Sequence, residues 1–140
     1  IATILAEAKA ASVARERRDA IVIGADQTLE CDGKRWHKPA GIAEARQQLA
    51  ALSGRSHQLH SGVVCLRAGA NMIMRSLSPQ FIDDYLARLG KDATASVGAY
   101  QIEGTGIQLF ERIEGDFFTV LGMPLLPLLA HLRSEGVISA

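Results

Sequence analysis

Between Val22 and Ala40 the chain reads VIGADQTLECDGKRWHKPA, and this stretch limits the fold more than any other. Ala20 to Ile23 is a short, uninterrupted apolar run, the pattern of a strand buried on both faces. Gly24 and Ala25 leave the backbone uncrowded just before Asp26. Thr28–Cys31 and Lys34–His37 can pair across Asp32-Gly33, a dipeptide favoured in tight hairpins. An acid therefore stands where an apolar run stops, directly before a hairpin that leads to Lys38-Pro39.

Helical segments alternate with such strands. Ile1, Ile4, Leu5, Ala8 and Ala11 share one helical face, and a charged run, Arg15-Glu16-Arg17-Arg18-Asp19, follows. Ile42, Ala45, Leu49 and Leu52 mark a second helix, stopped by Gly54. His57 to Leu66 reads as a strand. Ser78-Pro79 is an N-cap followed by proline at the first helical position, and Phe81, Ile82, Tyr85, Leu86 and Leu89 form the buried face behind it. Ala99 to Phe110 is expected as a strand bent at Gly104 and Gly106. Pro124 opens a last helix that ends at Gly136. Strands interleaved with helices define an α/β class, and 140 residues suit one domain with up to two lobes.

Composition narrows the functional classes. Fifteen basic and fifteen acidic residues cancel, so no bulk field draws the chain to a nucleic acid polymer or an anionic membrane. No apolar stretch approaches the ~20 residues of a membrane span. The most apolar segment, Leu121 to Leu132, is interrupted by Pro124, Pro127 and His131. No signal peptide is visible, and Cys31 and Cys65 form no CxxC pair, which fits a reduced, cytoplasmic protein.

Few residues carry chemistry. In open α/β sheets ligands bind beyond the carboxyl ends of strands, and Asp26 directly after Ile21-Val22-Ile23 is expected at that edge, as a metal ligand, a base or a turn residue. Lys38, held extended by Pro39, and Lys9, the lone lysine of the first helix, suit either phosphate or a solvated surface. His57 and His60 lie three apart, so in a strand they face opposite sides and do not share an ion. Glu103 stands in YQIEGTG, where flanking glycines let a ligand come close. A phosphatase with an aspartate nucleophile needs a second aspartate two residues after the first, and Thr28 occupies that position.

At LAEAKA, VIGADQ, HKPAGIAEARQQLAALSGRSH, VGAYQIEGTG and IEGDFFTVLGMPLLPLL, in this order, the chain resembles the Maf (septum formation) family of nucleoside triphosphate pyrophosphatases. The resemblance implies a Maf/ITPase-like fold: a twisted mixed sheet flanked by helices, with a deep cleft, in a single domain over 1–140. It implies hydrolysis of the α–β phosphoanhydride of a nucleoside triphosphate to monophosphate and pyrophosphate, with Mg²⁺ or Mn²⁺. It makes Asp26 the catalytic, metal-binding acid and Lys9 and Lys38 the phosphate-neutralising cations. Gln27 and Glu103 become the base readers. That pair is similar to family members preferring 7-methyl-GTP, whereas threonine and glutamine mark those preferring dTTP or UTP. A homodimer, and a role as a nucleotide-binding regulator of cell division without turnover, also come with the resemblance. Two departures are expected: a Ser/Arg-rich phosphate loop of the type S-x-S-P-R-R that nothing before Ile1 supplies, and a break near Ala70 to Met72, where the family has a longer strand pair.

Overall fold

A computed structural model describes residues 1–17, 20–64 and 66–139, with the backbone alone for 66–68. In chain order the elements are α1 (Ala2–Ala14), β1 (Ala25–Cys31), β2 (Lys34–Trp36), α2 (Ile42–Leu52), β3 (Ser56–Val63), β4 (Leu66–Met74), α3 (Pro79–Leu89), β5 (Phe110–Glu114), α4 (Phe117–Val120) and α5 (Leu125–Ser134). Three 3₁₀ segments, Gly90–Thr94, Val97–Ala99 and Thr105–Leu109, lie between α3 and β5. The strands form one sheet in the order β2-β1-β3-β4-β5, whose two outer ladders are antiparallel. This is the expected α/β class. No described helix is long and apolar enough to cross a membrane.

The chain divides into two compact units. The first comprises Ile1–Gln27, His60–Ala70 and Gly115–Ala140; the second comprises Thr28–Leu59 and Asn71–Glu114.

The second unit follows the sequence closely. Asp32 and Gly33 both take positive φ, 52° and 73°, and the hairpin pairs Leu29 with Trp36 and Cys31 with Lys34. That is the conformation a two-residue turn needs to match strand twist. The N-terminal region of α2 is closed by Glu44, whose Oε2 accepts from Ala40 N at 2.8 Å. α3 starts at the Ser78 cap, whose Oγ accepts from Phe81 N at 3.1 Å, with Pro79 at its first position. Leu49 and Leu52 of α2 are fully buried, and so, nearly, are Ile82, Tyr85 and Leu86 of α3. Each aliphatic side chain so buried stabilises by roughly 1.5–3 kcal/mol. Ile42, expected on the same face of α2, is exposed in its first turn. Beyond α3 the expected strand from Ala99 to Phe110 does not form. Gly98 and Ala99 adopt positive φ, and a Cβ on Gly106 would stand 2.4 Å from Gln101 O. The chain folds back on itself there, and the next strand, β5, begins only at Phe110.

The first unit departs more. α1 buries Ala2 and Ala6, while Ile1, Ile4, Leu5 and Val13 are exposed, so the buried face is opposite to the expected one. The cause is close approach. A Cβ on Gly24 would meet Ala6 O at 2.1 Å and Ala10 Cβ at 2.8 Å, and one on Gly62 would meet Thr3 N at 2.5 Å. Only a stripe of small side chains lets a helix come that near to backbone. The Ala20–Ile23 run is likewise not a strand: residues 21–24 are irregular, and Ile21 and Ile23 are exposed. A strand needs a ladder, and among the described residues this segment gains only a local turn bond from Ala20 N to Arg17 O at 3.4 Å and, at its end, one from Val64 N to Gly24 O at 3.0 Å. β4 runs without interruption through Ala70, Asn71 and Met72, so the expected break does not occur. β3 ends at Val63, so the strand expected to reach Leu66 is shorter. Cys31 is buried and free; Cys65, Arg18 and Asp19 lie outside the described residues.

Candidate functional site

Asp26 is the second residue of β1, not the residue after a strand. Asp26 therefore does not lie beyond the carboxyl end of a strand, as was expected, but at the beginning of one. What positions it is the ladder of β1 below and the seat of α1 on Gly24 just before it. That seat brings Lys9 over the strand's start. Lys9 Nζ donates to Asp26 Oδ1 and lies 3.5 Å from Ala25 O. The Asp26 side chain is 13% exposed and that of Lys9 60%. The carboxylate is thus mostly withdrawn from water while its cation remains in reach of solvent.

Gln27 is held differently. Its Nε2 donates to Ser61 Oγ at 3.0 Å, Thr119 O at 3.0 Å and Val120 O at 2.9 Å. Ser61 Oγ in turn donates to Thr119 O at 2.7 Å. Asp116 caps α4, accepting from Thr119 N at 2.9 Å and Thr119 Oγ1 at 3.1 Å. Successive side chains of a strand leave opposite sides. Asp26 accordingly meets α1, and Gln27 meets β3 and α4.

Lys38 and Glu103 belong to the second unit. Both are exposed, Lys38 between β2 and α2 and Glu103 in the turn before the Thr105–Leu109 segment. Pro39 is buried, and buried Gln48 donates from Nε2 to His37 O at 2.9 Å while its Oε1 accepts from Gly98 N at 3.3 Å. The Lys38 backbone is therefore anchored on both sides. A cavity of about 210 Å³ adjoins the Glu103 turn, lined by Gln101, Gly104, Thr105 and Gly106 with Arg88 and Asp92. A larger groove of about 810 Å³ between α2 and α3 contains none of the expected site residues.

His57 is a core residue. Its Nε2 lies 2.7 Å from Tyr100 Oη, its ring packs beside Tyr100 and Phe110, and burial lowers its pKa to about 4. Among the described residues no group of three or more His, Cys, Asp or Glu could hold an ion by itself. Asp26 still fits a hard divalent cation, because Oδ2 receives no hydrogen bond from the described residues. Mg²⁺ is commonly held by one or two carboxylates, with water and substrate phosphate completing its shell.

Sequence reasoning missed Ser61, Thr119 and Gln48. Each is a buried polar residue whose partner is distant in the chain, so no local spacing marks it.

An acid and a lysine brought together at the start of a strand, with a fixed amide beside them, is a small polar site suited to an anionic ligand. The model of the Maf-like protein family matches residues 1–135, and the chain belongs to that family. It is 55% identical to the 7-methyl-GTP pyrophosphatase of Mesorhizobium japonicum over 147 residues, covering 99% of this chain and 74% of that protein. It is 53% identical to the 7-methyl-GTP pyrophosphatase of Rhizobium meliloti, covering 100% and 75%. It is also 55% identical to the nucleoside triphosphate pyrophosphatase of Nitrobacter winogradskyi, covering 99% and 73%.

Proposed function

We propose that this protein is a nucleoside triphosphate pyrophosphatase that cleaves the α–β phosphoanhydride, releasing a monophosphate and pyrophosphate, with 7-methyl-GTP as its preferred substrate. The observation that carries the reading is the contact of Lys9 with Asp26 at the start of β1, in a chain so similar to proteins named for this activity. Asp26 is the acid that the reaction depends on. It holds a divalent cation, Mg²⁺ or Mn²⁺, whose chemistry when bound is Lewis-acid neutralisation of phosphate charge. Lys9 orients the Asp26 carboxylate and, being half free in solvent, turns its remaining N–H groups to phosphate. Lys38 adds a second compact charge for the triphosphate. Gln27 and Glu103 read the base. The protein works in the cytoplasm, as a homodimer, on free nucleotides and not on nucleic acid polymers.

The test is a panel of 7-methyl-GTP, GTP, UTP and dTTP with Mg²⁺ or Mn²⁺, scored for pyrophosphate against orthophosphate, on wild type and Asp26→Asn. Pyrophosphate from 7-methyl-GTP, lost in the variant, is the expected result. A preference for dTTP or UTP keeps the reaction and overturns the base. Tight nucleotide binding without turnover by wild type overturns the enzyme in favour of a regulator.

A further inference from the structure

We infer that Ser61, with the backbone carbonyls of Thr119 and Val120, fixes Gln27 as an acceptor-only reader, so that the base is met through an N–H donor edge. The inference rests on the nucleotide reading above and specifies how that site discriminates.

A glutamine amide carries two donors on nitrogen and two lone pairs on oxygen. Here Gln27 Nε2 has three neighbours at 2.9–3.0 Å. Two are carbonyl oxygens, which can only accept. The third is a hydroxyl whose single proton goes to Thr119 O, so it too offers Gln27 a lone pair. Turning the amide over would set Oε1 against both carbonyls and lose those two bonds, and would keep the third only if the Ser61 hydroxyl gave up Thr119 O. The network therefore decides the orientation, as it must where nitrogen and oxygen are otherwise alike. The acceptors are themselves held: Ser61 is fully buried in β3, Thr119 is 2% exposed, and Asp116 caps its helix.

Both amide protons are thus spent inside the protein. Oε1 makes no hydrogen bond with the described residues, and Gln27 is half-buried. Gly122 also stands beside this side chain, where an added Cβ would come no nearer than 3.9 Å to Gln27 Cβ and Nε2. Gln27 therefore has an acceptor to offer a ligand and no donor. It cannot meet the O6 of a guanine, as a freely turning amide could. A guanine-type base presents N1–H and N2–H₂ side by side, and that edge suits Oε1. Ser61 touches no substrate in this scheme; it is a positioning residue that sets specificity through Gln27.

The experiment compares kcat/KM for GTP and ITP, which differ by the N2 amine, on the full chain and on Ser61→Ala, Ser61→Cys and Gln27→Met. Circular dichroism checks that each variant folds. Wild type should favour GTP by about tenfold, the scale of one hydrogen bond whose loss leaves a partner unsatisfied. Ser61→Ala should narrow the ratio by about threefold or more, chiefly through KM. Ser61→Cys, which keeps a weak acceptor of similar shape, should fall between. Gln27→Met should erase the preference. Turnover by wild type with equal GTP and ITP efficiencies, or a ratio unmoved in the folded Ser61 and Gln27 variants, would overturn the inference and leave the pyrophosphatase reading standing. Absence of pyrophosphate from every nucleotide with wild type would remove that reading, and this inference with it.

Discussion

Lys9 and Asp26, seventeen residues apart in sequence, meet as ammonium and carboxylate across the join of α1 and β1. Converting Asp26 to Asn keeps the shape and removes the charge. Hydrolysis should fall by about 10²-fold or more, the scale for losing one electrostatic group that acts on a transition state, while the melting temperature stays within a few degrees. Steady-state pyrophosphate release and a thermal melt on the same preparation check this. Near-normal turnover in a folded Asp26→Asn protein would remove Asp26 from the site.

Lys9→Ala tests the cation separately. The Lys9 ammonium is 60% exposed, and solvent screening holds its contribution to stability to about 1 kcal/mol. The variant should therefore melt almost as wild type does, yet show a raised KM for triphosphates. A large drop in melting temperature with unchanged KM would make Lys9 a structural strut.

Gly24→Ala tests what seats the helix. The new methyl would press on Ala6 O and Ala10 Cβ at 2.1 and 2.8 Å. Forced overpacking of this kind costs about 1–3 kcal/mol. α1 must move, and Lys9 moves with it. Urea unfolding should show the loss, and activity should fall further than in Lys9→Ala. A variant as stable and active as wild type would show that the close approach is dispensable.

Glu103→Gln tests the charge at the base. A charged hydrogen bond is worth about 1.5–3 kcal/mol, and N7 methylation leaves the guanine ring positive. The ratio of kcat/KM for 7-methyl-GTP over dTTP should fall by roughly one to two orders of magnitude. Unchanged ratios across the panel would place base recognition elsewhere.

His57 makes stability depend on pH. Burial lowers its imidazole from 6.5 to about 4 in the folded chain. Between those values the unfolded chain takes up a proton that the folded chain refuses. The stabilisation is complete above about pH 6.5 and is lost as pH falls toward 4, on the order of 3 kcal/mol in all. Urea midpoints measured from pH 7 to 4 should decline over this window, and His57→Gln should flatten the decline. An equal slope in the variant would assign the effect to other groups.

The parts legible in sequence are those whose cause is local. Asp32-Gly33 demands left-handed backbone, and the hairpin follows. Ser78-Pro79 caps α3, and the apolar spacing of α2 and α3 marks the faces that pack. The reversed face of α1 was hidden because hydropathy ranks isoleucine and leucine above alanine. What selects the face is the width of the gap left by Gly24 and Gly62, 14 or more positions from the residues that they touch. Asp26, Gln27, Lys38 and Glu103 stood out by residue type and by resemblance. The hold on Gln27 did not, since its partners lie 34, 92 and 93 residues away.

The order of the sheet leaves β2 and β5 at its margins. β2 has only three residues, two of them Lys34 and Arg35, and β5 carries Glu111, Arg112 and Glu114 among its five. Unpaired strand margins invite other chains to add on, and brevity and charge are what discourage it. Replacing Lys34 and Arg35 by valine and threonine would preserve the hairpin turn while giving neighbouring molecules a neutral template. Solutions of such a protein should turn cloudy at concentrations that leave the natural chain clear.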